Sequence, residues 1–228
     1  EVVGGDLTNA DCPLENFLRE CDVLIHCAGE IRDVNAMRLL HVEGTQMLIQ
    51  AVIDESKRTG KIIHWVQLSS VGAYGPAPGK TDADRIVTEE TPTQPVNEYE
   101  ITKTISDDLV IQASKNGQFT RSILRPSNVI GIKASDRFFP RLIKLIRRNQ
   151  FFYIGRTGAI AAYVHVDDVV AALIALATLP DAKGQIYNLS FDCKLEKIVN
   201  HIAAKLGTHA PRIRAPSPLV QMPIHAFN

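Results

Sequence analysis

The sequence has few of the features that assign a chain to a function class at once. Its 228 residues carry no net charge and no basic block, which gives no support for binding nucleic acid or a membrane surface. It shows no signal-peptide pattern and no uninterrupted apolar run of about 18 residues. The most apolar stretch, 159–179, is interrupted by Asp167 and Asp168. We therefore expect a globular protein of the cytoplasm.

Cysteine is scarce, and its placement indicates no cross-link. Cys12, Cys21, Cys27 and Cys193 form neither a CxxC pair nor a zinc-like spacing, so we expect reduced thiols. None of the seven histidines has the spacing to acids or thiols that a metal site needs. The sequence predicts no metal.

A glycine-rich GxGxxG turn before a helix is also missing from the sequence. The opening residues, Glu1–Asp6, have the pattern of the end of a strand already in progress. At the other end, Pro211–Asn228 is rich in proline and does not complete an element. We expect that the chain is cut at both ends.

What the sequence does contain is an alternation of strand-like and helical segments. Apolar runs without polar alternation, separated by long helices, are typical of a parallel sheet covered on both faces. The chain is long enough for one large domain or one and a half. The pattern predicts an α/β fold with a doubly wound parallel sheet. The predicted strands are Val23–Ala28, Ile62–Leu68, Thr120–Leu124 and Gln185–Ser190, and the predicted helices are Asn35–Ser56, Asn97–Lys115 and Asp167–Leu179.

One helix carries a pair of residues with chemical potential. Tyr99 and Lys103 are four apart, so they share a helix face. Ser70 ends the preceding strand and could reach that face. A hydroxyl, a phenol and an ammonium at one point can move a proton while a neighbouring cofactor moves a hydride. The polar segment from Gly75 to about Pro95 is expected to lie over this end of the sheet as a flap.

Seven short motifs follow one another along the chain. They are Gly5-Asp6-Leu7, His26-Cys27-Ala28-Gly29, Val42-Glu43-Gly44-Thr45, Ser69–Gly75, Glu89–Pro92 before Tyr99-x-x-x-Lys103, Leu124–Gly131 and Tyr163–Val169. In this order they resemble the extended short-chain dehydrogenase/reductase family, the NAD-dependent epimerase/dehydratase group, over about residues 4–190. The resemblance implies a Rossmann-like sheet with a small C-terminal substrate-binding part. It also implies that the family's glycine-rich βαβ unit precedes Glu1.

The resemblance implies a role for each matching residue. Ser70, Tyr99 and Lys103 would be catalytic: Tyr99 as general acid/base, with Lys103 holding the ribose hydroxyls and lowering the Tyr99 pKa. The implied cofactor is NAD or NADP, and without the glycine-rich turn we expect residues 1–228 alone to bind it poorly. The implied substrate contacts are Ser70, Val71 and Asn128. The implied cofactor contacts, besides Tyr99 and Lys103, are Asp6, Leu7, Cys27, Ala28, Gly29, Pro126 and Val129.

The chain departs from the family pattern at three places. His41 stands where the family often has Asn, so its supporting role is open. Val71 and Gly72 stand where the 4,6-dehydratases have Asp-Glu, which makes that reaction unlikely. Ala161 replaces an Arg that binds diphosphate in many sugar-nucleotide enzymes, and Arg137, Arg141 or Arg156 would have to substitute.

Several alternatives stay open. The leading expectation is an enzyme acting on a secondary alcohol or ketone, as a nucleotide-sugar epimerase or reductase. The branch resembling 3β-hydroxysteroid dehydrogenases and dihydroflavonol reductases is the second, and a non-catalytic NAD(P)-binding regulatory module is the third. We expect residues 1–132 to bind the cofactor and 133–228 mostly the substrate, with 160–190 returning to the sheet. The resemblance implies a homodimer formed by the helices 35–56 and 97–115.

Overall fold

Strands and helices follow each other in the predicted order. The computed structural model describes residues 2–77, 85–132 and 138–216. The helices are α1 (Leu14–Leu18), α2 (Val34–Arg38), α3 (Thr45–Thr59), α4 (Glu98–Ser114), α5 (Phe138–Arg147), α6 (Val166–Thr178) and α7 (Leu195–Leu206), with 3₁₀ turns at Val71–Tyr74 and Pro180–Ala182 and a π-helical turn at Leu39–Gly44. The strands are β1 (Val23–His26), β2 (Ile63–Leu68), β3 (Phe119–Pro126), β4 (Asn128–Ile130), β5 (Tyr153–Ile154), β6 (Ile160–His165), β7 (Ile186–Leu189), β8 (Phe191–Lys194) and β9 (Arg214–Ala215).

The main sheet is parallel and has four strands in the order β1-β2-β3-β7. The predicted α/β class is therefore confirmed. The carboxyl ends of β1, β2 and β3 lie along one edge, which is where ligands bind in open parallel sheets. The turn after β2 that begins at Ser70 lies at this edge.

Helices cover both faces of this sheet. Successive side chains of a strand point to opposite faces, and neighbouring residues of β2 show where each goes. Trp65 packs into the apolar core with Leu48 and Val52 of α3 and Val110 of α4. His64 Nε2 lies at hydrogen-bond distance, 3.0 Å, from the carbonyl oxygen of Leu176 on α6. The sheet is thus wound on both sides, as the buried strands predict.

The predicted helix 35–56 is broken into three parts. Asp33 caps α2 by accepting from the backbone N–H of Asn35 at 2.9 Å. The chain then passes through the π-helical turn into α3, which ends at Gly60 with φ +73°. Gly44 lies so close to the preceding loop that an added Cβ would be 2.8 Å from the carbonyl oxygen of Leu7. A side chain at position 44 would therefore separate this turn from the loop.

The chain divides into two units, residues 1–127 with 167–189 and residues 128–166 with 190–228. The second unit contains a three-stranded sheet, β4-β6-β8, in which β4 and β6 are parallel and β6 and β8 antiparallel. It also contains the pair β5-β9. Its apolar core lies between α5 and α7 and includes Leu142, Ile146, Tyr153, Val199 and Ile202.

The segment 160–190 was expected to return to the main sheet. Only β7 does so as a strand, since β6 pairs with β4 and β8 in the second unit. Three parts of the sequence predictions lie outside the described residues: 78–84 of the flap, Arg137, and 217–228 of the proline-rich end.

All four cysteines carry free thiols. Among the described residues, no three His, Cys, Asp or Glu side chains are grouped as metal ligands would be. No helix in the described part of the chain has the length and apolar character needed to cross a bilayer.

Candidate active site

Helix α4 carries Tyr99 and Lys103 on one face. Asn97 starts the helix by accepting from the backbone N–H of Glu100 at 3.0 Å, so Tyr99 lies in the first turn and Lys103 in the second. Lys103 is only 4% exposed, and its Nζ donates to the carbonyl oxygen of Leu68 at 2.7 Å. This bond joins the helix face to the end of β2.

Ser70 completes a group of three with Tyr99 and Lys103. Its Oγ accepts from the backbone N–H of Gly72 at 3.1 Å and so starts the 3₁₀ turn after β2. The Ser70 hydroxyl also acts on the Tyr99 phenol, whose pKa it lowers. The structure therefore places the serine near the phenol, with the ammonium one helical turn further along α4.

Burial dominates the electrostatics of this group. It raises the pKa of Tyr99, and the hydrogen bond with Ser70 opposes that effect. It also lowers the pKa of Lys103, against which the charge of Asp107 acts. The family resemblance implies that Lys103 lowers the pKa of Tyr99, whereas in this structure the net direction of the Tyr99 pKa is upward.

A buried carboxylate lies one further turn along the same face of α4, and the sequence analysis missed it. Asp107 is fully buried, and its Oδ2 accepts from Ser69 Oγ at 2.7 Å and from Arg125 Nε at 3.0 Å. Burial raises the pKa of Asp107, and the charges of Arg125 and Lys103 oppose this. The four-residue spacing after Lys103 was the available signal, but the same spacing is common in exposed ion pairs.

The network continues to the described part of the predicted flap. Arg125 donates to the Tyr74 hydroxyl at 3.0 Å, and that hydroxyl donates to Asn188 Oδ1 at 2.9 Å. The backbone N–H of Asn188 in turn donates to Glu89 Oε1 at 2.7 Å. Arg85 binds the carbonyl oxygens of Tyr74 and Gly75 at 2.9 and 2.8 Å. Both described ends of the segment are thus tied to the first unit.

A cavity of about 220 Å³ opens at the carboxyl end of β1. It brings together three of the predicted cofactor residues, Leu7, Cys27 and Ala28, with the small residues Gly4 and Gly5. Two other predicted residues are not among those that line it. The Asp6 side chain forms a turn by accepting from the backbone N–H of Thr8 at 2.9 Å. Gly29 lies against His41, since a Cβ added at Gly29 would be 3.5 Å from His41 Nε2.

The other predicted contacts lie after β2, at the end of β3 and in β4. Val71 is in the 3₁₀ turn after Ser70, and Pro126 is the last residue of β3. Asn128 and Val129 belong to β4 in the second unit, where Asn128 Nδ2 donates to the carbonyl oxygen of Ala162 at 3.0 Å.

Comparisons with known proteins agree with this fold. Residues 1–190 match the model of the NAD dependent epimerase/dehydratase family. The chain belongs to this family.

One curated relative and two solved structures show the range of the similarity. The relative is the sterol-4-alpha-carboxylate 3-dehydrogenase (decarboxylating) of Saccharomyces cerevisiae, 30% identical over 186 residues, which are 78% of this chain and 51% of that protein. The structure of RMD from Pseudomonas aeruginosa complexed with NADPH has a TM-score of 0.74 at 23% identity and covers 95% of this chain and 77% of that one. UDP-glucuronic acid 4-epimerase from Bacillus cereus in complex with NAD has a TM-score of 0.72 at 23% identity, covering 93% and 68%. The chain spans about half the length of the first of these, the curated relative.

Proposed function

We propose that the native polypeptide containing this chain is an NAD(P)-dependent enzyme that interconverts a secondary alcohol and a ketone. The observation that carries the proposal is the group at the end of β2: the half-buried Ser70 hydroxyl acts on the half-buried Tyr99 phenol, and the buried Lys103 ammonium lies one turn further along α4. Such a group suits proton transfer at a carbinol or carbonyl oxygen.

Each residue has a role in this proposal. Tyr99 Oη takes the proton from the substrate hydroxyl or returns it to the carbonyl oxygen. Ser70 Oγ hydrogen bonds to the same oxygen and orients it. Lys103 keeps positive charge beside the phenol, and a charge in a desolvated site acts more strongly than in water. The nicotinamide, when bound, supplies or accepts the hydride at its C4.

The cavity at β1 fits one part of this cofactor. Its walls combine small residues, Gly4, Gly5 and Ala28, with the apolar side chains of Leu7 and Leu48, which suits the flat adenosine end. At about 220 Å³ it is smaller than the ~300–1,000 Å³ usual for a complete ligand pocket. We infer that Leu7, Cys27 and Ala28 contact adenosine and that Asp6, Gly29, Pro126 and Val129 complete the contacts to the dinucleotide.

For the substrate we favour a nucleotide-sugar, with the reaction an epimerisation or a reduction. The proposed substrate contacts are Ser70, Val71 and Asn128. A 4,6-dehydration is disfavoured, because elimination of water needs a second acid/base pair. An added Cβ at Gly72 would be 2.9 Å from Glu100 Cγ, so position 72 has little room for an acidic side chain.

A second substrate class is supported by a separate observation. Ala161, in β6, offers no charge to a diphosphate, and the curated relative described above is a sterol dehydrogenase. An apolar secondary alcohol, as in the 3β-hydroxysteroid and dihydroflavonol branches, is therefore the second candidate.

The test compares Tyr99→Phe with the parent in the native polypeptide. UDP-glucose, UDP-glucuronic acid and a 3β-hydroxysteroid are each incubated with NAD⁺ and with NADP⁺, and both cofactor reduction and sugar epimerisation are followed. Loss of one catalytic proton-transfer group should lower kcat about 10²–10⁴-fold while cofactor binding is retained. Tyr153→Phe, in the second unit, is the matched control and should keep full turnover.

The outcomes separate the candidates. Turnover of a UDP-sugar supports the first substrate class, and turnover of the steroid supports the second. No turnover by the parent with any substrate, together with intact NAD binding, would favour a non-catalytic cofactor-binding module. The proposed homodimer is tested separately by sedimentation equilibrium of the same protein.

A further inference from the structure

His41 is a buried imidazole with both ring nitrogens engaged. It lies in the π-helical turn before α3 and is 1% exposed. Its Nε2 accepts from the backbone N–H of Glu30 at 2.9 Å, and its Nδ1 lies 2.8 Å from Thr102 Oγ1. Because Nε2 is the acceptor, the ring proton is on Nδ1 and is donated to Thr102. This assignment follows from the hydrogen-bond network.

Through Thr102 the imidazole reaches the helical turn that holds the phenol. Thr102 Oγ1 donates to the carbonyl oxygen of Glu98 at 2.7 Å, and Glu98 is the residue before Tyr99. The His41 ring also meets the Tyr99 ring edge-on, with ring centroids 5.8 Å apart and planes at 79°. One side chain therefore contacts the first turn of α4 both by a hydrogen bond and by a ring contact.

The other end of the imidazole holds the turn after β1. Glu30 follows Gly29 directly, and its own carboxylate accepts from the backbone N–H groups of Ile31 and Arg32 at 2.7 and 2.6 Å. This turn is therefore organised by Glu30 and joined to α4 by His41. It is also the turn that follows Cys27 and Ala28, which line the cavity at β1.

The hydrogen bonds require an uncharged ring. Burial, with the charge of Lys103, lowers the pKa of His41 to about 4, while Glu30 acts in the opposite direction. A proton on Nε2 would face the N–H of Glu30 and remove the bond, since both groups would then be donors. At neutral pH the ring is neutral and the two bonds coexist.

We propose that His41 is a positioning residue, whose neutral imidazole joins the turn after β1 to the first turn of α4 and holds the Tyr99 phenol against Ser70. This inference rests on the proposed function. The same geometry assigns the two bonds different effects. The bond to Thr102 directs the phenol, and the bond to Glu30 directs the turn on the cofactor side.

Two substitutions separate these bonds. In His41→Asn the amide N–H occupies the place of Nδ1, so it can donate to Thr102, but it is too short to reach the N–H of Glu30. In His41→Gln the amide oxygen extends to the place of Nε2, so it can accept from Glu30 but leaves Thr102 without its donor. His41→Phe keeps a ring beside Tyr99 and removes both bonds.

The kinetic expectation follows from this separation. Gln and Phe at position 41 should lower kcat about 10- to 100-fold with the substrate KM nearly unchanged, since a small misplacement of a reacting group costs that much. The His41→Asn variant should keep the parent's kcat. It should raise the KM for the cofactor, because it loses the bond to Glu30. His64→Asn is the matched control, because His64 is 4% exposed and its ring is hydrogen bonded to Thr120 of β3 and to the carbonyl oxygen of Leu176 on α6, away from α4. It should leave kcat unchanged.

A second readout does not depend on turnover. The ultraviolet difference spectrum of each variant against the same variant with Tyr99→Phe gives the titration of Tyr99 alone. The polar and charged groups that act on this phenol are Ser70, Asp107 and the His41 ring. Loss of the hydrogen bond between His41 and Thr102 should weaken the effect of Ser70 on the phenol. Tyr99 should therefore titrate at higher pH in the Gln and Phe variants. In the Asn variant, which keeps this bond, Tyr99 should titrate as in the parent.

The outcomes distinguish the two proposals. If the parent turns over no substrate but the titration differs as described, the proposed function fails and the positioning role stands. If Asn and Gln at position 41 behave alike in both readouts, or if His64→Asn has the same effect, His41 is a structural residue only and the inference is wrong. The Asn and Gln pair decides this even if the Phe variant does not fold.

Discussion

His26 provides a quantitative test of the buried electrostatics of the first unit. Its side chain is 4% exposed, lies edge-on to Trp65 at 5.5 Å, and has one weak polar contact, to Thr45 Oγ1 at 3.4 Å. Burial, with smaller effects of Lys103 and His41, lowers its pKa from 6.5 to about 3. The folded protein therefore holds His26 neutral at every pH above about 4.

The sign of the pH effect follows from this difference. Between about pH 4 and 6.5 the unfolded chain binds a proton at position 26 that the folded chain does not bind. The free energy of unfolding therefore falls as the pH is lowered through this range. Integrated from pH 7 to pH 5, the contribution of this one imidazole is a loss of about 2 kcal/mol. A typical domain has only about 5–15 kcal/mol in total.

Urea denaturation of the parent and of His26→Phe, each at pH 7 and pH 5, measures this contribution. The Phe ring keeps the contact with Trp65 but cannot titrate, so the variant should lose about 2 kcal/mol less than the parent between the two pH values. The other acid-sensitive groups are common to both proteins and cancel. An exposed histidine changed in the same way, His209→Phe, should lose as much as the parent. If His26→Phe and the parent have the same pH dependence, then His26 is not held neutral and the argument fails.

Two further substitutions test the site by the same denaturation assay. Asp107→Asn should lower the free energy of unfolding by about 3–5 kcal/mol, because it leaves the charge of Arg125, which is 4% exposed, without its ion-pair partner. The double variant Asp107→Leu/Arg125→Met should recover most of this lost stability. Equal losses in the single and double variants would contradict the expectation. Gly75→Ala should cost at least about 2 kcal/mol, because the residue has φ +61° and an added Cβ would be 1.9 Å from the carbonyl oxygen of Gln94. Gly60→Ala has the same sign of φ and nothing within 4 Å, so it should cost about 1 kcal/mol, and equal costs at the two positions would show that the contact with Gln94 is unimportant.

The main sheet was predictable because its strands are buried on both faces. A run such as Ile63–Leu68 does not alternate between polar and apolar residues, which is the pattern of a strand buried on both faces. Glycines near the ends of the elements indicate where helices end. The segment 160–165 was predicted to join the main sheet, but it pairs with β4 and β8 in the second unit. An apolar run shows that a strand is buried, but it does not identify the neighbour with which the strand pairs.

The π-helical turn at Leu39–Gly44 was missed for a related reason. The apolar residues of 35–56 recur with a period close to that of an α-helix, and one wider turn changes that period little. Its effect is nevertheless large, because the turn carries His41, which contacts Tyr99. The sequence identified position 41 as a departure from a family pattern. It did not indicate which residues the His41 side chain contacts.

The burial of Asp107 could not be inferred from spacing. A carboxylate four residues after a lysine predicts an ion pair on a helix surface. In the structure Asp107 instead bonds to Ser69 and Arg125, from two neighbouring strands, and all three are buried. Only the packing of α4 against the sheet makes that set of contacts, and it depends on residues far apart in sequence.

The end of β2 explains why three ionisable or polar groups on α4 take up one arrangement. The carbonyl oxygen of Leu68 accepts from Lys103, Ser69 Oγ donates to Asp107, and the Ser70 hydroxyl lowers the pKa of Tyr99. The last residue of β2 and the two residues that follow it therefore each face one residue of a helix face with a four-residue repeat.

This pairing is fixed by the sheet register. Leu68 is paired with Leu124 of β3, and the backbone N–H of Ser69 donates to the carbonyl oxygen of Leu124 at 2.7 Å. A shift of β2 by one residue against β3 would displace all three groups from their partners on α4 at once. The chemistry proposed for Tyr99 thus depends on backbone pairing between β2 and β3 as directly as on the three side chains themselves.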